Sequence, residues 1–254
     1  MEEFVPLGDL EKEGYAQIVC YPKVDADELG RRLAEMERLG VDALSFRGNK
    51  KVNNVQVLGK GYVGIVVLAK TEFGLAALKI RRTDSGRTGM GHEAEILERA
   101  NSVGVGPKLL GCSENLLLME FVDGQPFPKW VEGVAETEDA RLGAKKVLNE
   151  ILEQCWRLDE AGVDHGELSN APKHIIVRGD GGVCVLDFES ASVQRRISNI
   201  TSVCNYLFLK GSIAEAVRRK VVDVNSDSLL KALRAYKEDR TRNNFERILK
   251  LCLF

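Results

Sequence analysis

The sequence predicts an α+β fold in which a strand-rich lobe precedes a helix-rich lobe. Between residues 55 and 80, three short aliphatic runs follow one another with turn residues between them. From residue 138 onward the apolar spacing changes to three and four, interrupted by one hairpin near residues 175–186. The alternating βαβ pattern of a parallel sheet does not occur.

Taken in order, the first 50 residues read as a small unit of their own, residues 51–124 as the strand lobe and residues 125–254 as the helical lobe. Leu29, Leu33, Met36 and Leu39 stand three or four apart between Asp25 and Gly40, an amphipathic helix. The strand lobe opens with Val55–Leu58, Ile65–Ala69 and Leu75–Ile80, the last two joined by Thr71-Glu72-Phe73-Gly74. A helix from about His92 to Ala100 and strands at Lys108–Gly111 and Leu116–Phe121 follow. From Glu138 to Ala161, Leu142, Val147, Leu148, Ile151, Leu152, Cys155 and Leu158 form one stripe closed by Gly162. Strands Ile175–Val177 and Val183–Leu186 flank a turn at Gly179–Gly182, and three or four short helices are expected from Ile197 on.

Composition excludes several classes. With 44% hydrophobic and 29% charged residues among 254, the chain carries enough apolar material for a core. No apolar run approaches the ~18 residues of a membrane span, and the acidic start Met1-Glu2-Glu3-Phe4 is unlike a signal peptide. The cysteines at 20, 112, 155, 184, 204 and 252 lack CxxC spacing and the density of a disulfide scaffold, so a reduced, cytoplasmic protein is expected. Residues 1–190 carry a net charge of −9 and residues 191–254 a net of +7. The basic end reads either as a solvated helical face or as a surface for RNA or a ribosomal particle.

Four segments carry possible chemistry. Gly59-Lys60-Gly61-Tyr62-Val63-Gly64 is a GxGxxG run followed by the β-branched Ile65–Ala69 rather than by a helix. That disfavours a dinucleotide fold and leaves a glycine hairpin, either plain or with backbone N–H groups free to cover phosphates. Lys79 stands in an apolar strand and needs a partner or an anionic ligand. Glu93 and Glu95 in the next helix could supply the partner; the plain alternative is a surface lysine. Asp164-His165-Gly166-Glu167-Leu168-Ser169-Asn170 precedes a strand, and Asp187 ends one. There it suits a Mg²⁺ ligand or a turn cap.

Glycine hairpin, strand lysine, helix glutamate, acidic loop and strand-end aspartate occur in the order of the protein-kinase signature set. From the glycine loop to Phe188 the sequence therefore resembles the protein kinase superfamily, with Leu116–Gly124 similar to its inter-lobe hinge. His165-Gly166-Glu167 stands in place of His-Arg-Asp and Asp187-Phe188-Glu189 in place of Asp-Phe-Gly. No Ala-Pro-Glu follows, and 65 residues remain after Glu189. These departures resemble the RIO and related atypical kinases, and also the aminoglycoside and choline phosphotransferases. The short chain without an inserted helical domain favours an archaeal-type, RIO-like Ser/Thr kinase: a two-lobed fold with a reduced C-lobe and an extra N-terminal helical unit.

The resemblance implies roles for individual residues. The backbone of Gly59, Gly61 and Gly64 would cover the triphosphate of ATP. Lys79 would contact its α- and β-phosphates and Glu93 would hold Lys79. Val66, Ala77 and Met119 would line the nucleotide pocket, and Glu120, Phe121 and Val122 would present the hinge to adenine. Asp187 would carry Mg²⁺, and Glu167 would orient or deprotonate the acceptor hydroxyl. The loop from Glu167 to Ile175 is two residues longer than the usual spacing, which puts His174 where the second metal-binding Asn would stand. Asn170 is the better oxygen donor for that place, since imidazole suits Mg²⁺ poorly. His165 is expected to organise the loop.

The leading expectation is ATP- and Mg²⁺-dependent phosphotransfer to a Ser/Thr hydroxyl, the chain's own included. The alternatives are phosphorylation of a small molecule, or a nucleotide-binding pseudokinase acting as a switch or scaffold. Partners are ATP and a protein or small-molecule hydroxyl acceptor, without a membrane.

Overall fold

The computed structural model describes residues 3–12 and 14–253. They divide into two units: one up to Glu98 together with Pro107–Phe121, the other of Arg99–Gly106 and the chain from Val122 on.

The first unit is built on an antiparallel sheet, seven-stranded among the described residues. Its strands are β1 (Val5–Pro6), β2 (Val41–Ser45), β5 (Gly59–Lys60), β6 (Gly64–Thr71), β7 (Gly74–Arg81), β8 (Leu109–Cys112) and β9 (Leu116–Glu120). They run in the order β1-β2-β6-β7-β9-β8, with β5 also paired to β6. The short pair β3 (Lys50–Val52) and β4 (Val55–Val57) stands beside it. Alternation along the strands gives the sheet two faces. Ile65, Val67, Ala69, Ala76, Leu78, Ile80, Leu116 and Leu118 point to one, in a single core with Leu10, Ile18, Leu29 and Met36. Val66, Ala77, Lys79 and Met119 lie on the other: Val66 pairs with Lys79 and Ala77 with Met119. Leu78 is fully buried, so Leu78→Ala is expected to cost about 2–5 kcal/mol.

The first 50 residues supply more than the helix legible in sequence. That helix, α2 (Ala26–Arg38), is capped by Asp25, whose carboxylate accepts the Glu28 N–H at 2.8 Å. The short α1 (Ala16–Val19) precedes it. Strands β1 and β2 extend the main sheet. Val41–Ser45 is buried at four of five positions, so it lacks the alternation that marks a half-exposed strand. Buried Arg32 donates to Glu28 and to the carbonyls of Val19 and Arg81, tying α2 to the end of β7. Buried Glu35 accepts from Ser113, from the Asn115 backbone and from its side chain.

In the second unit, α5 (Glu138–Glu160) buries Ala144, Val147, Leu148, Ile151, Leu152, Cys155 and Leu158. Leu142, counted in that stripe from the sequence, is exposed. It lies two residues from Ala144, about 200° around the helix. A three-stranded sheet joins β10 (Gln125–Pro126), β11 (Ile175–Val177) and β12 (Val183–Val185). A short helix, α4 (Phe127–Glu132), follows β10. Beyond it come α6 (Asn199–Cys204), running into a π turn at Asn205–Leu209, then α7 (Ser212–Lys220), α8 (Ser226–Glu238) and α9 (Arg242–Leu253). Buried Asp159 ties α5 to two of these helices. It accepts from the Asn199 side-chain amide at 2.8 Å and the Tyr236 hydroxyl at 2.7 Å.

Part of the positive charge at the chain's end meets earlier acids. Arg219 pairs with Glu132, Lys220 with Glu136, and Arg242 with both Glu153 oxygens. No helix among the described residues is long and apolar enough to cross a membrane.

Candidate functional site

The glycine run forms the β5–β6 hairpin. Gly59 pairs with Val66 and Lys60 with Ile65, and the Gly61 N–H donates to the Gly64 carbonyl at 2.8 Å. The hairpin is tied at its base: the Arg82 N–H donates to Val63 O at 2.8 Å and its guanidinium to Gly61 O at 3.2 Å. Tyr62 stands exposed at the tip. A Cβ at Gly64 would lie 2.9 Å from the Ile80 carbonyl oxygen and 3.0 Å from Lys79 Cγ. The bare α-carbon is what lets the Lys79 side chain lie against the hairpin.

Lys79, 3% exposed, reaches Glu93 on α3 (Gly91–Ser102), 7% exposed, with Nζ 2.8 Å from Oε1. A buried ammonium costs several kcal/mol unless paired, so the two residues depend on each other. Glu95 is exposed. Val66 is half-buried and Ala77 buried on the face that carries Lys79, and Met119 is half-buried opposite Ala77. Glu120 exchanges contacts with Lys108: its N–H donates to Lys108 O at 2.8 Å, and its carboxylate accepts the Lys108 N–H at 3.2 Å. Phe121 is half-buried under the Arg47 guanidinium. Val122 belongs to the second unit.

Asp164, Glu167 and Asp187 of the second unit gather around the open end of the β11–β12 hairpin. The Leu186 N–H donates to His174 O at 2.7 Å, continuing the ladder one step past β12. Asp187 follows in left-handed backbone with φ of 69°. The loop of His165 is docked on the same place. Asp164 and Ser192 exchange backbone hydrogen bonds at 2.9 Å, and the His165 N–H donates to Asn199 Oδ1 at 2.8 Å. His165 Nε2 lies 2.9 Å from the Leu186 carbonyl oxygen, so that nitrogen carries the hydrogen. Burial holds the His165 pKa below its ordinary value.

Gly166 has φ of 90°, and a Cβ there would overlap Arg195 Nη2 and lie 3.0 Å from Ser190 O. The Arg195 guanidinium fills that space. It donates to Asp164 Oδ2 at 2.5 Å and to the Ser190 carbonyl at 2.9 Å. Glu167 is then set between two neighbours. Ser190 Oγ donates to its Oε1 at 2.5 Å, and His174 Nε2 is 3.0 Å from its Oε2. The other His174 nitrogen, Nδ1, lies 3.7 Å from Asp187 Oδ2. Asn170 is exposed in the 3₁₀ turn Leu168–Asn170, where its N–H donates to the Glu167 carbonyl. His174 is thus set by the fold beside both Glu167 and Asp187. Ser190 and Arg195 carry no signal in the sequence. The nearest hint is the glycine at 166, which leaves room for a distant side chain.

Residues 69–200, just over half of the chain, match the family model of the RIO domain. The chain belongs to the RIO family. No curated protein matches it. RIO proteins are atypical protein kinases, so kinase-type ATP binding and phosphotransfer with a divalent metal ion are the family-level properties of this chain. The match spans Lys79, Glu93, Glu167 and Asp187, and begins within β6, after the glycine run Gly59–Gly64. The residues of this RIO chain suit both groups. An anionic triphosphate fits a bare Gly64 backbone beside a buried ammonium. The Asp187 carboxylate is a hard oxygen donor of the kind divalent cations prefer, whereas the neighbouring imidazole is not.

Proposed function

We propose that this chain is an ATP- and Mg²⁺-dependent kinase that phosphorylates a Ser/Thr hydroxyl, its own included. The observation that carries the reading is the buried Lys79–Glu93 pair on the sheet face shared with Val66, Ala77 and Met119. Lys79 contacts the α- and β-phosphates and Glu93 fixes its ammonium. The Gly59–Gly64 backbone covers the phosphates, Val66, Ala77 and Met119 line the pocket, and Glu120–Val122 meet adenine with backbone groups. Asp187 holds Mg²⁺, which when bound neutralises charge developing on the transferred phosphoryl group. Asn170, exposed in the loop after Glu167, supplies the second oxygen donor for that metal ion. Glu167 accepts the proton of the acceptor hydroxyl or orients it. Free thiols at all six cysteines are consistent with a cytoplasmic setting.

The test is transfer of radiolabelled γ-phosphate from Mg²⁺-ATP by the purified chain and its Glu167→Gln variant. The proposal expects transfer to fall at least about 100-fold in the variant with ATP affinity kept. Equal transfer by both proteins would overturn the role of Glu167. A second reading, a nucleotide-binding pseudokinase, draws support from the occupation of both Glu167 oxygens by internal neighbours. ATP binding without transfer by the wild-type chain would favour it.

A further inference from the structure

Three departures from the kinase pattern meet at one place. Glu167 carries one methylene more than the usual Asp, His174 stands where Asn is usual, and the loop between them is two residues longer. In the structure they form one hydrogen-bonded group with Ser190. We infer that His174 and Ser190 are positioning residues that hold the Glu167 carboxylate, each on one oxygen. This rests on Glu167 being the acceptor-side carboxylate proposed above.

The chemistry of the donors fixes the arrangement. An ionised carboxylate only accepts, so Ser190 Oγ and His174 Nε2 both donate to it. His174 is 6% exposed, and among the described residues its Nδ1 has no hydrogen-bond partner. The ring therefore carries a hydrogen on Nε2, toward Glu167, and turns Nδ1 to the side of Asp187, 3.7 Å from Oδ2.

Both donors are themselves held. The His174 carbonyl accepts the Leu186 N–H, and the His165 ring packs edge-on against the imidazole at 5.6 Å. The Ser190 carbonyl accepts from Arg195, which also grips Asp164. A glutamate has one more rotatable bond than an aspartate, and a group misplaced by ~1 Å can lose on the order of 100-fold in rate. Donors on either side remove that freedom. The longer loop is what brings an imidazole to Oε2, so the substitutions compensate one another.

The experiment has two arms. In the first, His174→Ala and Ser190→Ala are compared with His174→Gln and Ser190→Thr, which keep a donor. Each alanine variant is expected to lower kcat about 10- to 100-fold with ATP affinity and melting temperature near those of the wild-type chain. The conservative variants should recover most of the loss. Wild-type kcat in the alanine variants, with Glu167→Gln inactive, would overturn this inference and leave the role of Glu167 intact. Wild-type kcat in Glu167→Gln would overturn that role and this inference with it.

The second arm reads the imidazole directly and needs no turnover. The chain has three histidines, so the ring nitrogens can be assigned in long-range ¹H–¹⁵N spectra. The expected signature is a hydrogen on His174 Nε2 whose shifts move in Glu167→Gln. A His174 Nε2 without a hydrogen, or shifts indifferent to Glu167→Gln, would overturn the inference.

Discussion

The Lys79 side chain lies across the α-carbon of Gly64, so close that a Cβ there would come within 3.0 Å of its Cγ and 3.3 Å of its Cε. The third glycine of the hairpin and the strand lysine are therefore one packing unit. Gly64→Ala must push either the lysine or the Ile80 carbonyl, an overpacking that costs about 1–3 kcal/mol. The expected result is ATP affinity weakened about tenfold with circular dichroism unchanged. Gly59→Ala is the control, because a Cβ there meets only Val66 at an ordinary 3.7 Å. Equal loss in both variants would mean that Lys79 placement is not what Gly64 secures.

Removing one member of the Lys79–Glu93 pair leaves the other charge buried without it. Lys79→Ala is expected to cost about 3–5 kcal/mol in urea unfolding. Adding Glu93→Gln should return part of that stability without returning nucleotide binding. A single variant as stable as the wild-type chain would show that the pair is not desolvated.

Asp159 gives the pH dependence a sign. Burial raises its pKa to about 6, against the hydrogen bonds from Tyr236 and Asn199 that lower it. The unfolded chain ionises near 3.8, so between these values the folded state binds more protons and stability falls as pH rises. The penalty is complete above pH 6 and amounts to about 3 kcal/mol. Asp159→Asn removes this dependence. Measured from pH 7 down to pH 4, the wild-type chain should gain on the variant by roughly that amount. Parallel stability curves would contradict it. Comparison with the variant matters because His165, whose pKa burial lowers, acts in the opposite direction.

Gly166 takes the position of the usual arginine, and its left-handed φ and the Arg195 guanidinium both forbid a side chain there. Gly166→Ala is expected to destabilise the chain by about 1–3 kcal/mol. Combining it with Arg195→Ala should recover the part due to the guanidinium while the part due to φ and the Ser190 carbonyl remains. Full recovery in the double variant would show that φ contributes nothing.

The legibility of the molecule follows the range of its interactions. Lys79 and Glu93 could be read because a charge in an apolar strand demands a partner and the next helix offers one. Helix α2 could be read because Leu29, Leu33, Met36 and Leu39 recur at helical spacing, whereas its Asp25 cap emerged only in the structure. Strand β2 was not, because burial on both faces erases its alternation. Strand β5 is only two residues long, and its glycine reads as turn chemistry. The Glu167 group stayed hidden for a different reason. Ser190 is 23 residues away and reaches Glu167 only because Asp164 and Ser192 pair. Spacing alone made His174 a poor metal ligand; only the folded hairpin shows it as a donor.

The central proposal gives Lys79 the nucleotide's phosphates and Asp187 the metal ion, each in its own unit. Calorimetric titration of ATP, with and without Mg²⁺, into the wild-type chain and its Asp187→Asn variant tests it most directly. The account predicts binding that Mg²⁺ strengthens in the wild-type chain and an enhancement that disappears in the variant. Binding indifferent to Mg²⁺, or no binding by the wild-type chain, would contradict it.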